Sequence, residues 1–141
     1  MRSHFDIKEV VCPHVFEKLG EGAWRLFDPR LIQVMTWLRL SFDRPIWIND
    51  WENHLTQRGL RCNRCTLSRD NAIANVTYLS AHVFGAAFDF DVEGMEADQV
   101  RDWIWAHNGE VPHPIRLELY VSWVHLDVLT EGKMKITNFN P

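Results

Sequence analysis

The sequence predicts an α+β domain: a small, mostly antiparallel sheet flanked by helices. Two observations predict it. Residues 28–42 and 96–109 open and repeat like helices, whereas four other stretches have strand length and strand patterning, and the two kinds are interleaved along the chain. With 141 residues, the chain has room for one such domain with its own core and is short for two. No internal repeat or low-complexity linker divides it, so 1–141 reads as a single domain.

Each element has its own justification. "DPRLIQVMTWLRLSF" (28–42) begins with Asp28 and Pro29, a cap and a first-turn proline, and Leu31, Val34, Met35, Leu38 and Phe42 then recur at helical spacing. "PIWIND" (45–50) reads as a short strand. "ENHLTQRGLRCNRCTLSRDNA" (52–72) is polar, contains four arginines and lacks a sustained period, which predicts a long irregular loop of the functional or disordered kind. "AAFDFDV" (86–92) alternates Phe88, Phe90 and Val92 with Asp89 and Asp91, a strand with its acids on one face. "EADQVRDWIWAHNG" (96–109) is a second helix, opened by its acids and stopped at Asn108-Gly109. "IRLELYV" (115–121) and "WVHLDVL" (123–129) are two further strands.

Composition narrows the function classes. A formal net charge of -4 without any basic block speaks against a nucleic-acid partner. No run approaches the roughly eighteen apolar residues of a membrane span. The opening "MRSHFDIKEVVCPHVF" carries acids at 6 and 9 and no long apolar stretch, so it does not read as a secretory signal. Synthesis in a cytoplasm is the expectation, with lysis or another carrier needed for any role outside. Three cysteines, Cys12, Cys62 and Cys65, cannot all pair within one chain. "C-P-H" at Cys12 to His14 and "C-N-R-C" at Cys62 to Cys65 have the residue types of a structural zinc site; buried thiols beside a turn are the alternative.

The residues richest in chemistry lie in "YLSAHVFGAAFDFDV" (78–92) and in the last strand. His125 and Asp127 are two apart and share a face with Trp123, while Val124, Leu126 and Val128 take the other. If that strand neighbours 86–92, then His82, Asp89 and His125 converge. Two imidazoles and a carboxylate are a zinc set with the fourth tetrahedral position open, the catalytic type. Asp91 and Asp127 are then candidates to orient the imidazoles. Spacing alone leaves a hydrogen-bonded core histidine equally open for His82.

"SAHVFGAAFD" (80–89) resembles the Ser-x-His-x-x-Gly-x-Ala-x-Asp motif of the zinc D-Ala-D-Ala carboxypeptidases and related peptidoglycan-cutting metallopeptidases of bacteria and phages. Every fixed position of that motif is filled. "WVHLD" (123–127) resembles the family's second signature, and "FDIKEVVC" (5–12) its opening element. The resemblance implies a hedgehog/D-Ala-D-Ala metallopeptidase-like fold, one zinc ion held by His82, Asp89 and His125, and hydrolysis of an amide bond in peptidoglycan stem peptides or cross-links, by carboxypeptidase or endopeptidase action. It also implies that Gly85 gives room where backbone passes close to the site and that Ala87 keeps the surroundings thin; packing would equally explain both. Together with the missing signal, it suggests a phage lysis or virion-associated enzyme. The alternative is a non-catalytic, zinc-bearing binding or structural domain, for example of a phage particle.

Two departures from the family pattern matter. Relatives place the general base a few residues before the last ligand His, where this chain has Ser122 and Tyr120. Glu118 is the nearest upstream acid; it reaches the metal face only if the chain turns at Tyr120–Ser122, and otherwise makes a cross-strand surface pair. Asp127 is the next candidate for the base. The family's substrate-gripping arginine, in a Tyr-Arg-Ser context, is also missing. Arg58 or Arg61 could supply that bidentate contact, or both could be solvated surface.

Overall fold

The computed structural model describes residues 4–141; the first three residues of the opening discussed above lie outside it. The arm preceding the first expected helix is itself structured. It runs through a 3₁₀ turn at Ile7–Glu9, α1 (Pro13–Leu19) and a second 3₁₀ segment, Gly20–Leu26. The helix expected over 28–42 is α2 (Pro29–Phe42), where an Asp28 carboxylate oxygen accepts from Arg30 N at 2.9 Å and Leu31, Val34, Met35 and Leu38 are buried.

β1 is confined to Ile46–Trp47. The chain leaves the sheet there because Asn49 turns to the N-terminal arm: its N–H donates to Glu9 O and its side chain to Val11 O, both at 2.9 Å. The expectation of an irregular loop over 52–72 fails at its end, where α3 spans Thr66–Ile73. Ser68 is the residue this helix buries, so it has no apolar stripe for a periodicity reading to detect.

β2 (Ala87–Val92), α4 (Ala97–Ala106), β3 (Ile115–Glu118) and β4 (Val124–Asp127) fall where expected, the last two shorter than their apolar runs. β5 (Ile136–Phe139) is unanticipated. The sheet order is β1-β2-β4-β3-β5, with antiparallel pairings except for parallel β3–β5, so the sheet is mixed. One face carries Phe88, Phe90, Leu117, Val124 and Leu126, all fully buried, and α4 packs on β2 and β4 through Val100 and Ile104. Each such side chain contributes about 1.5–3 kcal/mol by burial. That packing fixes which face the polar residues must take. None of the described helices is long and apolar enough to cross a membrane.

Register then does the positioning. Asp89 stands opposite His125, and Arg116 opposite Asp127. Glu118, two residues beyond Arg116 on β3, shares the polar face, because residues 119–123 turn the chain back into β4. Tyr120 sits in that turn at φ 62°, left-handed and unfavourable for a side-chain-bearing residue. Buried Arg101 of α4 holds the turn from beneath, donating to the carbonyls of Glu118, Val121 and Trp123 at 3.3, 3.0 and 2.9 Å.

Candidate metal centre

His82 comes from the tight turn before β2, closed by Val83 N to Ser80 O at 2.9 Å and Ala86 N to Ala81 O at 3.0 Å. Gly85 ends this turn at φ +66°, and a Cβ there would lie 2.1 Å from Leu26 O. Its missing side chain therefore makes room for close backbone, as expected, and that backbone belongs to the end of the second 3₁₀ segment.

His82, Asp89 and His125 are all buried, and the structure brings them together. His82 Nε2 lies 3.3 Å from both His125 Nδ1 and Asp89 Oδ2, and His125 Nδ1 lies 2.8 Å from Asp89 Oδ1. Nitrogen and oxygen ligands about 2.0 Å from a tetrahedral zinc are about 3.3 Å apart, a separation that both His82 contacts match, while His125 meets the other Asp89 oxygen at the shorter 2.8 Å.

The outward atoms decide what points inward. His82 Nδ1 meets Gly59 O at 2.9 Å; a carbonyl only accepts, so Nδ1 carries the proton and Nε2 offers its lone pair to the centre. His125 Nε2 meets Asp127 Oδ2 at 3.0 Å, and that carboxylate is in turn held by Arg116 through two 2.9 Å bonds and by Leu129 N at 3.0 Å. Asp89 is steadied by Arg61 Nη2 at 3.1 Å. Each inward atom is thus backed by a partner that orients it, the arrangement metal-binding imidazoles need. The donor set fits a metal ion.

No family model, curated protein or solved structure matches the chain significantly.

The charges agree with a cation site. Burial alone would raise Asp89, but hydrogen bonds from His125 and His82 outweigh it and hold the carboxyl well below the usual carboxylate range. Burial works against a charged His125 as well, yet its bonds to Asp127 and Asp89 push it up to about 9. His82 is lowered, chiefly by burial. Without an ion, a proton on His125 occupies the 2.8 Å contact with Asp89.

One side of the centre is open. A cavity of about 360 Å³ has His82, Asp89 and His125 in its lining, with Glu118, Trp123 and Phe139. A second, of about 470 Å³, has Arg58, Asp91 and Ser122 in its lining, and Arg61, Asp89 and Trp123 line both. Glu118 is thus on the same face and in the same cavity as the three donors. Asp127 is fully buried behind His125 and orients its ring. Asp91 does not orient an imidazole: it is half exposed and pairs with Arg58 Nη1 at 2.8 Å. The Arg61 guanidinium is taken up by Asp89, the Tyr78 hydroxyl and Gln57 O.

Sequence reasoning missed four residues that build the site: Gly59, Arg116, Arg101 and Phe139. Arg116 had a readable signal, since it lies two before Glu118 on one strand face. Gly59 had none, because its role is a backbone carbonyl. A Cβ on it would lie 2.1 Å from Val10 O, so only glycine lets the loop pass under the N-terminal arm.

Proposed function

We propose that the chain is a zinc-dependent hydrolase that cleaves an amide bond in the stem peptides or cross-links of peptidoglycan. The observation that carries this reading is the lining of one open cavity by three oriented donors and a carboxylate, Glu118. A zinc ion held by His82, Asp89 and His125 would supply Lewis acidity and lower the pKa of water.

The chain's own residues supply the rest. Gly59, Arg61 and Asp127 keep the three donors aimed at one point. Glu118 takes the proton from the attacking water and returns it to the nitrogen of the breaking amide, so the amine leaves neutral. Arg58 binds a peptide carboxylate by exchanging it for the half-exposed Asp91. The two adjoining cavities accommodate the peptide on either side of Asp89 and Trp123. The sequence resemblance supports the substrate class, and with it arrival at the wall on lysis or as part of a phage particle.

The test is incubation of purified peptidoglycan and a synthetic stem pentapeptide with the zinc-loaded protein, with and without chelator. Zinc-dependent release of fragments is expected, and their masses identify the bond. A zinc-loaded, folded protein that releases nothing overturns hydrolysis. That outcome would favour the second reading, a non-catalytic zinc-bearing domain, which the commitment of Arg61 to Asp89, Tyr78 and Gln57 already supports.

A further inference from the structure

A second cluster of ligating side chains lies outside the open centre. Cys62 Sγ is 3.6 Å from Cys12 Sγ, 3.9 Å from Cys65 Sγ and 3.5 Å from His14 Nδ1. All four ligand atoms lie within 4.8 Å of one another. A tetrahedral zinc with sulfur at about 2.3 Å has edges of about 3.7 Å between sulfurs and about 3.5 Å from sulfur to nitrogen. The three contacts of Cys62 are each within about 0.2 Å of those edges. A disulfide would need the sulfurs at about 2.05 Å, so the three thiols are free.

Buried cysteines packed as small apolar side chains would explain Cys12 and Cys65, but not an imidazole nitrogen aimed at the sulfurs. The local structure presents the four as two pairs. Cys12 and His14 bracket Pro13 at the start of α1, and Cys62 and Cys65 bracket a turn closed by Cys65 N to Cys62 O at 3.1 Å.

The position of the second pair gives the cluster a consequence. Arg61, adjacent to Cys62, holds Asp89, and its own N–H donates to His82 O at 3.2 Å. Gly59, three residues before Cys62, holds His82 Nδ1. The same loop is tied to the arm bearing Cys12 by Leu60 N to Val10 O at 2.8 Å and a bridge between Val11 and Leu60. Two of the three donors of the open centre are therefore oriented by a loop whose next residue belongs to the cluster.

We propose that Cys12, His14, Cys62 and Cys65 hold a second, structural zinc ion that clamps the Gly59–Arg61 loop to the N-terminal arm and so preorganises His82 and Asp89. The occupancy stands independently of the hydrolase reading; the preorganisation rests on the open centre binding metal.

Cobalt(II) loaded into the full chain separates the two sites, because only thiolate ligands give intense near-ultraviolet charge-transfer absorption. The expected result is that absorption in the wild type and in H125A, its loss in C62S, and two metal equivalents in the wild type. C62S should bind the remaining ion about 10- to 100-fold more weakly, the scale on which supporting partners act. A wild-type cobalt protein without thiolate absorption overturns the second ion, and C62S with undiminished affinity at the open centre overturns the coupling. H125A with both equivalents retained would instead count against the open centre. Should C62S fail to fold, alkylation of the wild type decides: protection of the three thiols by zinc and release by chelator is expected, and equal reactivity in both conditions overturns the proposal.

Discussion

At the His82–Asp89–His125 centre, three nitrogen and oxygen donors from a turn and two strands meet beside an open cavity of about 360 Å³. At the Cys12–His14–Cys62–Cys65 cluster, three sulfurs and one nitrogen from two short segments meet, with Cys12 and Cys65 buried. Three donors leave one tetrahedral position for water or substrate; four leave none. Their supports differ too. The open centre is aimed by side chains and carbonyls brought together by sheet register, whereas the cysteine cluster depends on two local turns being adjacent. An ion in the first can act on a ligand, and one in the second can only hold the chain together.

The largest effect that sharpens this contrast is loss of a donor from the open centre. H125A should lose zinc at that centre and all hydrolysis while keeping the thiolate-bound ion, so elemental analysis should fall from two equivalents to one. Next in size is E118Q. It should retain both ions and the fold but lose turnover by about 10²- to 10⁴-fold, the scale of general acid-base assistance. Steady-state rates on the stem peptide, alongside metal content, check it. Turnover unchanged in E118Q would remove Glu118 from the chemistry.

The two sites were not equally legible in the sequence. His82, in the turn before β2, was picked out by the motif resemblance and not by any period. Asp89 and His125 stood out because they alternate with apolar residues in strands, and period-2 alternation tells which face they take. Glu118 was ambiguous for the same reason. Its face depends on whether the chain turns between it and His125, and that turn is set by Arg101 on a helix that no local pattern links to it. The cysteine cluster could be named as a set but not assembled, since nothing local brings Cys12 to Cys62. α3 and β5 were invisible for different reasons: α3 lies mostly in solvent, and β5 is four residues long, with its parallel partner β3 supplying the pairing.

A further substitution tests whether the charge behind His125 matters beyond its shape. D127N keeps an oxygen able to accept from His125 Nε2 but removes the carboxylate that Arg116 holds. Zinc affinity at the open centre should fall about 10- to 100-fold. Competition with a chromophoric chelator measures it, and thiolate-to-cobalt absorption at the cysteine cluster should not change. An equal loss at both sites would mean that the substitution had loosened the fold.

The last effect is a pH dependence of the metal-free open centre. His125 is pushed up to about 9 in the folded chain by its bonds to Asp127 and Asp89, against about 6.5 when unfolded. A group with a raised folded pKa stabilises most below its unfolded value, and that stability is lost as pH rises through the folded one. Relative to chelated H125A, the chelated wild type should therefore lose thermal stability progressively between about pH 6.5 and 9. His82, lowered chiefly by burial, places its opposing slope mostly below that range. Cys12, lowered to about 5 chiefly by its hydrogen bond from Cys65, adds stability as pH rises through the range, a contribution that the wild type and H125A share. With zinc bound at the open centre, the ion replaces the His125 proton and the slope should flatten. Melting curves of both chelated proteins across the range give this difference directly, because H125A lacks only the imidazole. Wild-type and H125A curves that run parallel over this range would remove His125 as the titrating group.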